Sequence, residues 1–567
     1  MSKKMRFLSF FLALAMVISS APIVPVYAQE DSLATGMTNP FDKNISFSLN
    51  GQLVKSDSYR IPSIVTLADG TVVAAADIRW NTTYDGGGLD TLVARSTDGG
   101  KTWSYNVANY LGDNGNQYNP QSTTFIDPNL LVAADGQTIY MLVDLYAYGV
   151  ALNGNGSQIQ PVADTGFDTN GNLKLSDDNH YSYNYYLKNG KIYDSSNNVV
   201  KGYEVDAYFN ITYTQNGENK KSNLFFAGSP FKVARTQYLY LTKSTDGGAT
   251  WSEPNLLDVR AKAKVAATEN ALLVSPGNSI TTSGGIMVYP VYSYKTDGTQ
   301  HVALIYSTDG VNWERSTDYT ALNWSSEGAI VELENGNIRV FVRNKTKHLC
   351  YVDFDVRTMT WISHVDTDVP TNSNTQLSAI TYSKTSNGDQ VVLVSCPTGP
   401  NGAGSDNNDG SMRTNGKIHV FTVNAAGDMT LKNTINVFDK MATGQLSGSN
   451  YTEENGFFAY SAMTELSDGS IALLYENNQF GWGAGDGKYF TITNKGFASS
   501  SLGIKLDKPV AVVVDKNGNA VNSLQLGLSD KVELQTNTFY FESADVHYQW
   551  QIETESGKWI DIRSENN

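Results

Sequence analysis

Ser96 to Trp103 reads STDGGKTW, Ser244 to Trp251 reads STDGGATW, and Ser307 to Trp313 reads STDGVNW, one residue shorter. Asp followed by glycine is hairpin-turn chemistry, because the carboxylate accepts from backbone amides ahead of it and glycine accepts a positive φ. The tryptophan leaving each turn is a large apolar anchor. Each copy therefore predicts a strand–turn–strand corner, and a repeated corner predicts a repeating β architecture. Around the corners run short alternating strands such as TVVAAADIRW, TIYMLVD, QYLYLTKS, IMVYPVYSY, NIRVFVRN and KIHVFTVN, separated by turns such as ADG, ENG and SDG. No long amphipathic helix follows the first thirty residues. The expectation is an all-β chain forming a propeller of four-stranded blades.

The spacing of the corners predicts where the pattern is interrupted. Ser244 and Ser307 are 63 residues apart, the length of one generous blade, but Ser96 and Ser244 are 148 apart. Residues 146–234, rich in Asn, Tyr, Gly and Ser, account for the excess and read as a small β insertion within the second blade. Residues 1–28 have a basic start, an apolar run and a small-residue site at Ala28, which is the pattern of a secretory signal peptide. Residues 29–44 read as a linker and 45–500 as the propeller. Residues 505–567 resemble the opening strands of an immunoglobulin-like module without enough strands to close it, so the chain is expected to continue beyond residue 567. No later stretch reads as a membrane span, and the location expected is outside the cell, secreted or at its surface.

Cys350 and Cys396 each fall inside a strand-like run and read as buried free thiols. The six histidines are scattered without a Cys/His cluster, so no zinc site is expected. A net charge of −16 argues against a nucleic-acid partner.

Arginine is scarce, with twelve in the chain. Arg60 in YRIP, Arg343 ending NIRVFVRN and Arg413 beginning RTNGKIHVF sit where folding needs no charge, and each alone could be a solvated strand end. Together with the three Asp-box corners they resemble the bacterial exo-α-sialidases (neuraminidases), over most of residues 45–500. The resemblance implies a six-bladed propeller with the Asp-boxes at corners away from the pocket. It implies that Arg60, Arg343 and Arg413 grip the carboxylate of sialic acid, for which a guanidinium fork supplies paired charged hydrogen bonds. Glu476 then matches the glutamate pairing with the first arginine.

By the same resemblance Asp85, on the YDGGG loop, is the general acid, with Asp77 and Asp90 as rivals. Tyr460 is the nucleophile and Glu327 its base, with Glu332 and Glu334 as alternatives. A phenol of pKa about 10 needs such a base at neutral pH. Arg79 matches a residue of the pocket wall, and Asp127 one near the hydroxyl and N-acyl side of the sugar. The expected activity is an exo-α-sialidase acting on sialylated glycoproteins, glycolipids or oligosaccharides, retaining, with no metal or cofactor. Two alternatives stay open: an intramolecular trans-sialidase releasing an anhydro-sugar, and a non-catalytic sialic-acid-binding propeller (an adhesin). A neutral-polysaccharide glycosidase leaves the arginines unexplained.

Overall fold

The computed structural model describes residues 38–80, 82–112, 115–152, 157–178, 182–264, 267–372, 375–385, 387–399, 402–404, 413–437, 457–477, 491–504, residue 506 and four short strands between 511 and 561. Among them, six sheets follow one another along the chain as blades, four with four strands and two with five, all antiparallel except where Gly277–Asn278 pairs parallel with Thr124–Val132. The first blade runs through Ser58–Thr66, Val72–Arg79, Leu89–Ser96 and Ser104–Asn109. The sixth comprises Ser461–Glu465, Ile471–Asn477 and Thr491–Phe497, and takes its outermost strand, Thr38–Phe41, from the start of the described chain. The innermost strand of the sixth blade packs against that of the first, closing the ring. The fold is a β-propeller.

Alternation inside the strands explains how the blades stack. Val72–Arg79 is buried along its whole length. Val73 and Ala75 join a core with Met141 and Val143 of the second blade. Ala74 and Ala76, on the opposite face, join a core with Ala472 and Leu474 of the sixth. A strand covered on both faces must be apolar at odd and even positions alike. Each fully buried valine or leucine contributes about 1.5–3 kcal/mol.

The repeated corners connect the third and fourth strands of their blades. In the first copy Asp98 Oδ1 accepts from the amides of Lys101 and Thr102, and the Ser96 hydroxyl accepts from the Gly100 amide. The second copy repeats this network at Asp246 and Ser244. The third keeps it with one residue fewer, through Asp309 and Ser307. The first corner also ties the ring closed, because the Thr38 hydroxyl donates to Gly100 O at 2.8 Å.

Burial raises the pKa of Asp98 and Asp246, but the hydrogen bonds from Thr102 and Thr250 and from the turn amides outweigh it, lowering both to about 2. A folded value below the unfolded one gives stability that is complete above the unfolded pKa of about 3.9. It is lost as pH falls through the folded value. A double variant, Asp98→Asn with Asp246→Asn, should therefore show a shallower loss of stability between about pH 4 and pH 2 in urea titrations. Parallel curves for variant and parent would contradict the assignment.

The second blade is Thr124–Val132, Ile139–Tyr146, Gln237–Ser244 and Asn255–Leu257. Between Tyr146 and Gln237 lies extra β structure. One sheet holds Leu173–Ser176, Tyr185–Lys188, Lys191–Asp194 and Lys232–Val233, and another holds Tyr203–Val205, Asn210–Gln215 and Glu218–Asn223. Because it joins second and third strands, the insertion emerges at the end of the ring opposite the Asp-box corners.

Cys350 and Cys396 are free and buried. The residues read as a signal peptide lie outside the described residues. So does most of 505–567, where Ala511–Val514 pairs with Gln535–Thr538 and Gln551–Glu553 with Trp559–Asp561. No helix among the described residues is long and apolar enough to cross a membrane.

Candidate active site

Arg60, Arg79, Asp85, Asp127, Glu327, Arg343, Arg413, Tyr460 and Glu476 gather at the insertion end of the ring, where innermost strands begin and second strands end. Three of them stand at irregularities of innermost strands. Between Arg60 and Ser63 the pairing with the second strand slips, and Ile61 takes φ 61°. The same happens between Ile126 and Asn129, with Asp127 at φ 63°. A third slip, between Ser325 and Gly328, holds Glu327. In the first two the residue after the left-handed one is proline, Pro62 and Pro128, which cannot donate to a ladder and is tolerated where the ladder is already broken. A bulge bends its strand and re-aims a side chain.

At Arg60, Glu476 answers the bulge. Its carboxylate takes Arg60 Nε at 3.0 Å and Nη2 at 3.2 Å, and also the Ile61 amide at 3.0 Å. Glu476 is fully buried and is the penultimate residue of the second strand of the sixth blade. Tyr460 precedes the first strand of that blade, and its carbonyl accepts from the Glu476 amide at 2.9 Å.

Tyr460 is the centre of the cluster. Its hydroxyl donates to Glu327 Oε1 at 2.6 Å and accepts from Arg343 Nη1 at 2.8 Å. The same Arg343 nitrogen reaches Glu327 Oε2 at 2.7 Å. The guanidinium carbons of Arg60 and Arg413 each stand 5.3 Å from the centre of the Tyr460 ring. Three arginines from three blades thus surround one phenol. Burial raises the Tyr460 pKa above its ordinary value; Arg343 opposes the rise and Glu327 adds to it. The phenol is neutral at rest. Arg413 is lowered by burial, and Arg60 and Arg343 press the same way against a partial offset from Tyr460.

Asp85 lies across from this group on the loop after Arg79. Arg79 Nη1 reaches its Oδ1 at 2.6 Å and Arg60 Nη1 reaches the same oxygen at 3.4 Å. Its side chain is 44% exposed. What burial there is raises its pKa, but Arg79 and Arg60 outweigh that and hold the carboxyl below its usual range. Arg79 itself is fully buried between Asp85 and Asp77. Asp77 Oδ1 accepts the Asp127 amide at 3.1 Å, so it anchors both Arg79 and the second bulge. Burial, and then the carboxylates of Asp77 and Asp144, push Asp127 well above the ordinary range.

The rival acidic residues are accounted for elsewhere. Asp90 accepts from the Trp80 indole at 2.7 Å, Glu332 accepts from the Ser283 amide and hydroxyl, and Glu334 pairs with Lys384. Asp144, which the sequence reading did not single out, is fully buried and takes Gln237 Nε2 and the Val274 amide. A charged residue in the apolar run TIYMLVD was its signal. No cluster of metal-ligating side chains occurs among the described residues.

Residues 61–430 match the family described as a BNR repeat-like domain, and the chain belongs to that family. Curated proteins that it resembles include sialidases. It is 29% identical over 493 residues to an anhydrosialidase of Macrobdella decora, covering 78% of this chain and 60% of that protein. It is 27% identical over 485 residues to sialidase B of Streptococcus pneumoniae, covering 78% of this chain and 64% of the relative. Among solved structures, the intramolecular trans-sialidase of Ruminococcus gnavus in complex with oseltamivir carboxylate superposes with a TM-score of 0.64 at 25% identity, covering 79% of this chain and 96% of that one. The chain spans less than two thirds of the length of the leech and pneumococcal proteins.

Proposed function

We propose that the protein is a secreted exo-α-sialidase that removes terminal sialic acid from glycoproteins, glycolipids or oligosaccharides with retention at the anomeric carbon. The observation that carries the proposal is the 2.6 Å bond from the Tyr460 hydroxyl to Glu327 inside the ring formed by Arg60, Arg343 and Arg413. A lectin would need the arginines but not a phenol joined to a base.

The substrate carboxylate is received by the three guanidinium groups, each charged hydrogen bond contributing about 1.5–3 kcal/mol net. It draws Arg60 away from Asp85 electrostatically, and the bound sugar excludes water from the rim. Both changes raise the Asp85 pKa from its depressed resting value and favour the protonated acid. Asp85 then gives its proton to the glycosidic oxygen as the bond to the anomeric carbon breaks. Tyr460 oxygen attacks that carbon while its proton passes to Glu327. A phenol suits this centre because it arrives neutral, whereas a carboxylate would meet the substrate's own negative charge. In the second half, Asp85 takes a proton from water, the water oxygen attacks the anomeric carbon, and Tyr460 leaves with the proton held by Glu327. The course draws on no metal or cofactor.

A second reading has specific support in the likeness to the leech anhydrosialidase and the Ruminococcus gnavus intramolecular trans-sialidase. There the sugar's own hydroxyl, in place of water, displaces Tyr460 and releases an anhydro-sialic acid. Mass spectrometry of the products from sialyllactose separates the two, since the anhydro-sugar is lighter by one water. Free sialic acid is the outcome expected of the first reading. Intact substrate recovered alongside measurable binding would overturn both and leave a binding propeller.

A further inference from the structure

We propose that Tyr118 and the neck of the insertion form a clamp on the glycine run after Asp85, making Tyr118 and Gln158 positioning residues for proton donation. The proposal rests on the reading of Asp85 as general acid. Its starting point is the run Gly86–Gly87–Gly88 itself. Three successive glycines following a catalytic side chain would, left to themselves, leave its backbone loose, because glycine restricts φ and ψ least. Here they are buried, while Asp85 keeps 44% of its side chain exposed.

Two of the glycines are required by close approach of other parts of the chain. A Cβ at Gly86 would stand 2.7 Å from Ala151 Cβ and 2.7 Å from Gln158 Nε2, both in the neck of the insertion. A Cβ at Gly87, where φ is +87°, would stand 2.3 Å from Cε2 of Tyr118. The backbone is also tied by hydrogen bonds. The amides of Gly87 and Gly88 donate to Thr124 Oγ1 at 3.0 and 3.3 Å, and Gly87 O accepts the Asn119 amide at 2.9 Å.

The neck that bears down on Gly86 is itself braced. The Ala151 amide donates to Ile159 O at 3.0 Å and the Ile159 amide to Gly149 O at 2.9 Å. Arg235 donates to Gly149 O at 2.9 Å and lies 5.1 Å over the Tyr148 ring. The Asp85 backbone is therefore held by the second blade, the segment before it and the insertion at once.

The consequence is chemical. Aspartate has one methylene, so the carboxyl goes where its backbone goes. A general acid must come within about 3 Å of the oxygen it protonates. A displacement of about 1 Å at such a group can cost about a hundredfold in rate. The insertion then influences turnover through the acid loop.

The test uses the full chain and two substrates. Nitrophenyl sialoside has a leaving group that departs with little protonation, whereas sialyllactose needs the acid. Asp85→Ala should lose about 10²-fold or more in kcat/KM on sialyllactose and far less on the aryl substrate. Tyr118→Ala and Gln158→Ala should reproduce that imbalance at about tenfold. Tyr118→Phe, which keeps the ring, should restore the parental ratio. Urea midpoints near that of the parent for Tyr118→Ala show that the fold is kept, and Gln158→Ala carries the test if they fall. Equal losses on the two substrates for the Tyr118 and Gln158 variants, with Asp85→Ala still unequal, overturn the clamp. Equal losses for Asp85→Ala as well overturn the acid assignment on which it stands.

Discussion

Tyr460→Phe should lower kcat by more than about 10³-fold, with affinity for sialic acid nearly unchanged. The substitution removes one oxygen and keeps the ring over which Arg60 and Arg413 lie. The arginine surface proposed to receive the substrate carboxylate is therefore preserved, while Glu327 and Arg343 each lose their contact with the hydroxyl, at 2.6 and 2.8 Å. Affinity is read by calorimetry with free sialic acid and turnover by release of nitrophenol. An active phenylalanine variant would show that the nucleophile lies elsewhere. Loss of binding along with turnover would show that the hydroxyl serves the arginine ring rather than the reaction.

How much of this was legible beforehand varies with the range of the interaction. The Asp-box corners were local, since Ser96, Asp98 and the turn amides satisfy one another within a few residues, and so the all-β repeat could be read directly. Arg60 and Glu476 meet across 416 positions, a distance no periodicity spans, and only the resemblance to a family joined them. Asp77 is a rival acid by its place in AAADIRW. Its side chain is taken up by the Asp127 amide and Arg79, contacts that its own segment does not reveal. The bulges did leave a trace: proline at the fifth position of a strand, in SYRIPSIVT and TFIDPNLLV, forbids a regular ladder there. The glycine run after Asp85 is crowded by Tyr118, Ala151 and Gln158, side chains that the run itself cannot reveal.

Glu476→Ala should cost about 3–5 kcal/mol of stability, because it removes the two-point carboxylate partner of a guanidinium that is 4% exposed and leaves the weaker 3.4 Å contact with Asp85 in its place. The loss has two further parts. The Ile61 amide gives up its acceptor, and a β-branched residue at φ 61° is left with less to hold it in a strained conformation. Urea denaturation checks the magnitude, and a midpoint equal to that of the parent would refute the account of the bulge. Such a cost does not mean that the pair exists for stability. Two buried charges must both be desolvated, and an apolar pair of similar volume is often as stable. The double variant Arg60→Met with Glu476→Leu should therefore recover much of what Glu476→Ala loses, while sialic acid binding stays lost. Recovery of the fold without recovery of binding would place the reason for the buried pair in the anion it helps to receive.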